Sequence, residues 1–365
     1  MSLDPRVLLI TPDYPPARGG IQYLLAGVVG HATRVRFRVL TFADEASITQ
    51  ENSVQIWRVS TTSVRGGTIA ALNAAALAQV RRFRPDVVLS GHIVAAPAAR
   101  IAVLGGIPFV QYLYAKEMAH RTRLTSFAVR HATASIVLGE HGRSLALAAG
   151  AEPHRVHAIP PGIDLPARAA STPRDRKPVI VCVARLEDRY KGFDVLVRAL
   201  PLIRSRVPEA TMIFVGGGHL QPVLEALARA NGCSDALRCT GRVDDAERDT
   251  LLASATVFAM PSRLRAGSGG EGFGIVYLEA GAHGTPVVAG NVGGALDAVV
   301  DGETGLLVTP EDHVALAEAI TRLLLDRDLA TRLGDGGREW AERFAWSKIV
   351  PKVEDVLIAA ARGMS

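Results

Sequence analysis

Short apolar runs alternate with helical stretches through both halves of this chain, and that alternation limits its fold more than any single motif. Val7-Leu8-Leu9-Ile10 is the first such run, followed by a turn-rich stretch over residues 11–20. Ile21, Leu24, Leu25, Val28 and Val29 then recur at the spacing of one helix face. Further strands are expected at 36–41, 87–90, 108–113 and 134–138, with Ala-rich helical stretches such as 69–83 between them. The polar, proline-punctuated segment 165–178 reads as a linker. Beyond it the pattern resumes, with strands expected at 179–184, 211–215, 237–240, 257–259 and 286–289 and helices at 193–203 and 312–325. Strands alternating with helices build parallel sheets covered on both faces. The length of 365 residues suits two such domains, and 48% hydrophobic residues supply their cores, which excludes a disordered chain. The fold class expected is α/β, with two doubly wound domains in tandem and a cleft between them.

Other classes are excluded by smaller features. Three cysteines, Cys182, Cys233 and Cys239, match no metal or redox spacing and suit a reducing compartment. The four apolar residues Val7–Ile10 are too few for a signal-peptide core. The most membrane-like stretch, 93–110, carries Arg100 and is broken by Pro97, Gly105-Gly106 and Pro108, so it reads as a helix followed by a buried strand. A cytoplasmic location is expected. The net charge of +5 sits in the first half: residues 1–165 hold 17 Lys and Arg against 10 Asp and Glu, the rest 24 against 26. Such a half attracts an anionic membrane face or a phosphorylated substrate, or is simply solvated surface. Its basic residues form no aromatic-interleaved stripe, so nucleic-acid binding is not expected.

Three stretches carry chemistry. Gly19-Gly20 lies between a strand and a helix, where backbone can approach an anion, although a tight turn explains it as well. Arg185 ends one strand and Lys191 opens the next helix; two such cations can neutralise a diphosphate, or can pair with Glu187 and Asp188 on the surface. Glu271 lies in a glycine-rich loop, 267–274, and Glu279 about one turn into the following helix. Carboxylates so placed accept hydrogen bonds from hydroxyls, and the amides of Phe273, Gly274 and Ile275 face an anion. Glu279 sits within an apolar run, 275–282, which argues against simple solvation.

In this order, the residues resemble the family-4 retaining glycosyltransferases of the GT-B fold. The resemblance runs from Pro12-Asp13-Tyr14-Pro15-Pro16 and Gly19-Gly20-Ile21 through Pro160-Pro161-Gly162-Ile163-Asp164 to Arg185 and Lys191. It continues in Val215-Gly216-Gly217-Gly218, Gly241-Arg242-Val243, Met260-Pro261-Ser262, the two glutamates, Gly284-Thr285-Pro286, Asp301-Gly302-Glu303-Thr304-Gly305 and Phe344-Ala345-Trp346. The resemblance implies two Rossmann-like domains facing across a cleft: 1–165 binding the acceptor, 178–348 binding a nucleotide sugar, and a helix at 349–365 crossing back to the first.

It also implies roles. Arg185 and Lys191 hold the diphosphate, Glu271 the donor-sugar hydroxyls and Glu279 the ribose. Backbone at Phe273, Gly274 and Ile275 meets sugar and phosphate, Gly20 approaches the diphosphate, and the base lies near Gly216, Arg242 and Val243. No metal or other cofactor is expected, and no carboxylate cluster in the sequence resembles a metal site. Many members carry a histidine after the strand matching 108–113; here Tyr114-Ala115-Lys116-Glu117 puts Tyr114 in that position, with a hydroxyl to offer sugar or acceptor. His92, in Ser90-Gly91-His92, is the alternative cleft histidine.

The long link 261–271 and the Gly-Gly-Ile-Gln opening are most similar to the phosphatidylinositol mannosyltransferase branch. GDP-mannose is therefore the expected donor, with a UDP-sugar second, and a lipid-linked or glycan acceptor is expected, met through peripheral contact at the inner membrane face. A soluble small-molecule acceptor is the alternative. Outside the class stand a non-catalytic sugar-nucleotide-binding subunit and a nicotinamide-dependent oxidoreductase. The oxidoreductase fingerprint fails, because Gln221 stands where a third spaced glycine belongs after Gly216-Gly217-Gly218.

Overall fold

A computed structural model describes residues 4–17, 19–51, 54–61, 67–166, 178–264 and 270–363. Most of the expected linker, 167–177, and part of the glycine loop, 265–269, lie outside the described residues. The chain divides into two compact units, one of Met1–Gly162 with Trp346–Ser365 and the other of Ile163–Ala345. Each unit is built on one sheet; the second is wholly parallel, and the first is parallel save one edge strand.

The first sheet uses β1 (Arg6–Ile10), β2 (Arg36–Ala43), β3 (Ser47–Glu51), β4 (Val54–Ser60), β5 (Val87–Ser90), β6 (Phe109–Leu113), β7 (Ala134–Val137) and β8 (Val156–Ala158). Their order is β3-β4-β2-β1-β5-β6-β7-β8, with only β3 antiparallel to its neighbour. Val7 to Ile10 and Val87 to Leu89 are fully buried because helices cover both faces, as parallel sheets require. The chain leaves β1 toward β2 on one side and reaches β5 on the other, so the strand order reverses between β1 and β5.

On one face, helix Gly20–His31 buries Leu24, Leu25, Val28 and Val29. The closing helix, Trp346–Ala361, adds Ile349, Val350, Val353 and Leu357 to the same core. The Trp346 indole lies so close to Gly27 and Gly162 that a Cβ on either would sit 2.1 Å from the ring. On the other face, helices Gly67–Phe83 and Ala96–Leu104 pack through Ala76, Ala98, Ala99 and Ala102. The segment 93–110 resolves into a 3-10 turn, that nine-residue helix and the start of β6. Among the described residues no helix is long and apolar enough to cross a membrane.

The second sheet uses β9 (Val179–Val183), β10 (Thr211–Val215), β11 (Leu237–Cys239), β12 (Val257–Met260), β13 (Val287–Gly290) and β14 (Gly305–Val308). All are parallel, in the order β11-β10-β9-β12-β13-β14, and the order reverses between β9 and β12. Four strands, β3, β4, β8 and β14, were not expected from the sequence. β3 is exposed along its whole length and is held by pairing with β4, and β8 is only three residues long.

Burial of a carboxylate fixes the closing helix. Glu354 is 1% exposed, and its Oε1 accepts hydrogen bonds from the backbone amides of Thr33 at 2.7 Å and Arg34 at 2.6 Å. Hydrogen bonds to a charged acceptor stabilise by roughly 1.5–3 kcal/mol each, and their loss strands two donors. Glu354→Ala should therefore lower stability by about 2–4 kcal/mol in urea denaturation, with Glu354→Gln losing less. An unchanged midpoint for the alanine variant would mean that apolar contacts alone dock the helix.

Candidate active site

In open parallel sheets, ligands bind beyond the carboxyl ends of the strands where the strand order reverses. In the second unit that place lies beyond β9 and β12. Arg185 leaves the end of β9 and is 58% exposed. Its guanidinium approaches Glu187 at 3.7 Å and Asp188 at 3.8 Å, so the surface pairing foreseen as the plain alternative does occur. Ion pairs this long and this exposed hold little energy, and Arg185 is only loosely tethered.

Lys191 is different. It closes a 3-10 turn, Arg189–Lys191, after which Gly192 takes φ 79° to turn the chain into helix Phe193–Arg206. A Cβ at Gly192 would meet the Pro261 carbonyl oxygen at 2.3 Å, so only glycine fits there. The Lys191 ammonium donates directly to the Glu271 carboxylate, and both side chains are largely buried, at 15% and 12% exposure. Burial works against the ammonium charge, but Glu271, and after it Tyr190 and Asp188, outweigh it and hold Lys191 above the ordinary amine range. The neighbouring Tyr190 hydroxyl is pushed up to about 12, chiefly by burial.

Glu271 is carried on the segment that leads from β12 to helix Ile275–Ala282. Gly274 caps that helix at φ 87°. The Tyr277 hydroxyl donates to the Met260 carbonyl at 2.8 Å, pinning the helix to the end of β12. The Glu271 carbonyl accepts from the Gly294 amide at 3.0 Å, which fixes the loop from the other side. Phe273 turns its ring into the core against Phe344, with centroids 5.8 Å apart, so its backbone is what remains to meet a ligand. The first amides of the helix are unpaired within it by geometry, and the helix dipole favours an anion there.

Glu279 is not simply solvated. Its side chain is 16% exposed and lies 3.8 Å from Arg248, on helix Asp245–Ser254. Burial raises its pKa above the usual carboxylate range, Arg248 opposes that rise, and Asp249, Asp245 and Asp164 add to it. Arg248 itself is clasped by Asp249 at 2.8 Å and Asp245 at 3.1 Å. Gly216 follows β10 at φ 136°, and its amide donates to Gly241 at 2.9 Å. Gly217 brings the Arg242 side chain alongside, since a Cβ there would lie 3.5 Å from Arg242 Cγ. Gly216, Arg242 and Val243 thus stand at the neighbouring ends of β10 and β11, with Arg242 exposed and Val243 half-buried.

The remaining expected residues belong to the first unit. Gly20 is the first residue of helix Gly20–His31, His92 follows β5, and Tyr114 follows β6. Tyr114 is 6% exposed, and its hydroxyl has no hydrogen-bond partner among the described residues. Burial raises its pKa well above the ordinary phenol value, with Tyr112, Glu117 and Asp13 contributing.

Here the structure corrects the expectation that no acidic cluster resembles a metal site. Asp13, His92 and Glu117 bring ligand-type atoms within 4.8 Å of one another. They come from the ends of three strands that are neighbours only in the sheet, so their separation in sequence hid them. The imidazole is a poor fit for a cation there. His92 Nδ1 accepts the Val94 amide at 3.2 Å, which leaves the proton of a neutral ring on Nε2, the atom that faces Glu117 and Asp13. That edge donates a hydrogen bond. Burial raises the Glu117 pKa, and the bond from His92 opposes it.

Two arginines were missed by sequence reasoning: Arg248, which meets Glu279, and Arg263, buried at 5% exposure beside the Lys191 turn. An arginine on a polar helix, like Arg248, or in a polar loop, like Arg263, carries no sequence signal that separates a buried fork from a solvated one.

Comparison with known proteins places this geometry. The family model "Glycosyl transferases group 1" matches residues 166–340. A Mycobacterium tuberculosis protein named GDP-mannose-dependent alpha-(1-6)-phosphatidylinositol monomannoside mannosyltransferase is 34% identical, over 96% of this chain and 98% of its own. A Mycobacterium tuberculosis glycogen synthase is 31% identical over 89% of this chain and 81% of its own. Among solved structures, sucrose-phosphate synthase from Thermosynechococcus elongatus superposes with a TM-score of 0.85 at 22% identity, covering 99% of this chain and all (100%) of that one, a likeness of fold. The chain belongs to the group 1 glycosyltransferases, the family-4 retaining enzymes of the GT-B fold.

Proposed function

We propose that this glycosyltransferase moves mannose, with retention at the anomeric carbon, from GDP-mannose to a hydroxyl of a lipid-linked or glycan acceptor. The observation that carries the reading is the meeting of Lys191 with Glu271 beyond β9 and β12, with Arg185 just past the end of β9. A cation held charged by its neighbours suits a leaving diphosphate, whose charge grows in the transition state. Arg185, weakly tethered, turns to the same group. Together with the amides at Phe273, Gly274 and Ile275 they supply the positive field that a metal ion supplies elsewhere.

Once a phosphate takes the ammonium, Glu271 needs other donors, and the sugar hydroxyls provide them. Glu279 accepts from the ribose, and the base lies over Gly216, Arg242 and Val243. Gly20 approaches the diphosphate, and Tyr114 and His92 meet sugar or acceptor. The similarity at 34% over nearly full length supports mannose and a phospholipid-borne acceptor, met through peripheral contact at a membrane face. The glycogen synthase likeness favours a second reading, transfer from another nucleotide sugar to a soluble acceptor.

Three measurements test this. A thermal-shift panel of GDP, UDP and ADP should give its largest shift with GDP; a larger shift with UDP would replace the donor. Lys191→Ala should lower kcat for donor hydrolysis or transfer by about 10²–10³-fold, the usual cost of removing one group that meets developing charge. Wild-type kcat in that variant would remove Lys191 from the reaction.

Glu279→Gln separates binding from stability. A raised folded pKa means that the native protein keeps this proton to higher pH than the unfolded chain does. Stability from this group is therefore fully present below the unfolded carboxyl pKa and lost as pH rises through the raised folded pKa. The unloaded variant should gain in thermal midpoint relative to wild type between acid and neutral pH, while its GDP affinity falls by about tenfold. A variant that bound GDP as wild type does would show that Glu279 does not hold the ribose.

A further inference from the structure

We propose that Arg263 is a positioning residue that fixes the Lys191 ammonium by clamping the turn on which it stands; the inference rests on the reading of Lys191 given above. Arg263 follows β12 by three positions, and its side chain is 6% exposed. Its guanidinium grips Asp194 with two bonds, Nη2 to Oδ1 at 2.8 Å and Nη1 to Oδ2 at 3.3 Å. Nη2 also donates to the Arg189 carbonyl at 3.0 Å, and the Arg263 amide donates to the Tyr190 carbonyl at 2.8 Å. Glu311, 3.9 Å from Nη1, is the other carboxylate facing it.

The placement of these bonds is what points to Lys191. Arg189 and Tyr190 are the two residues before it, Gly192 the residue after, and Asp194 lies in the first turn of helix Phe193–Arg206. Gly192 packs on the Pro261 carbonyl of the same strand exit. The segment 261–263 therefore holds the chain on both sides of Lys191, while the Lys191 side chain itself is left to Glu271.

Burying a guanidinium is unfavourable unless its donors are met, and here Asp194 and a carbonyl meet Nη1 and Nη2, while Nε has no hydrogen-bond partner among the described residues. A lysine has three donors on one atom and cannot span a carboxylate and a carbonyl in that way. Loss of the fork would let the turn relax. A displacement of about 1 Å in a group that meets the transition state can cost on the order of 10²-fold in rate.

The test is a double-mutant cycle in the full chain, using Arg263→Lys, Lys191→Ala and both together. Rates are read with GDP-mannose, or with the UDP or ADP sugar if the nucleotide panel selects that base. Arg263→Lys alone should lower kcat by about 10- to 100-fold with KM changed by less than about threefold, because the contact displaced is one that strengthens as charge grows in the transition state. In the Lys191→Ala background the same change should cost less than about threefold, since the group it positions is gone.

Asp194→Asn, which keeps one acceptor oxygen for the fork, should show the same coupling at smaller size and serves where Arg263→Lys does not fold. Effects that multiply independently would overturn the proposal, as would a wild-type rate for Arg263→Lys. If Lys191→Ala itself keeps the wild-type rate, the reading of Lys191 fails, and the positioning role fails with it.

Discussion

A buried ammonium has no stable place in a protein unless an acceptor of opposite charge meets it, and the second unit is arranged so that one does. Taking each ion out of water costs several kcal/mol even after relaxation, so Lys191 and Glu271 must arrive together and in good geometry. Neither is near the other in sequence. β9 and β12 are paired at the reversal of strand order, and Lys191 follows the first while Glu271 follows the second. Gly192 and Arg263 then hold the two loops to one another, and Gly274 and Tyr277 fix the segment that carries Glu271. The pair is thus assembled before any ligand arrives, and an anion at Lys191 would oblige Glu271 to seek hydroxyl donors. On the proposed reading, that reciprocity would tie phosphate and sugar recognition to one pair of side chains.

The first unit repeats the principle with a different proton inventory. His92, Glu117 and Asp13 gather beyond β1, β5 and β6, again around the reversal of strand order. There the backbone amide of Val94 fixes the imidazole tautomer, so the ring presents a donor to two carboxylates. One unit offers cations partly answered by acid, the other offers acids partly answered by an imidazole proton. Parallel sheets make this economical, because every strand delivers its loop to the same edge.

Much of this was legible beforehand. Strand runs such as Val7–Ile10 and Val87–Ser90 are apolar without alternation because both faces are covered, and that signature survives in a single sequence. Arg185, Lys191, Glu271 and Glu279 stood out because charged groups flanked strand-to-helix turns or interrupted apolar runs. What escaped was whatever depended on a distant partner. β3 lies exposed and is a strand because β4 pairs with it. Asp13 and Glu117 are ordinary acids until the sheet brings them to His92. Arg263 is a loop arginine until Asp194 and the Arg189 carbonyl enclose it. Glu279 was recognised as more than solvated, but its partner Arg248 lies on another helix and left no periodic trace.

The first unit is discontinuous: its closing helix begins at Trp346, after the whole of Ile163–Ala345. A ribosome working at ~5–20 residues per second needs roughly ten to forty seconds to deliver that insertion. Throughout that interval the groove flanked by Gly27 and Gly162 has no indole to fill it, and Leu24, Val28 and their neighbours lack the helix that covers them. The nascent chain therefore carries a sticky, half-finished amino-terminal body while a second body completes itself. The topology thus places the exposure of that apolar face in the time of synthesis, before the closing helix exists to cover it.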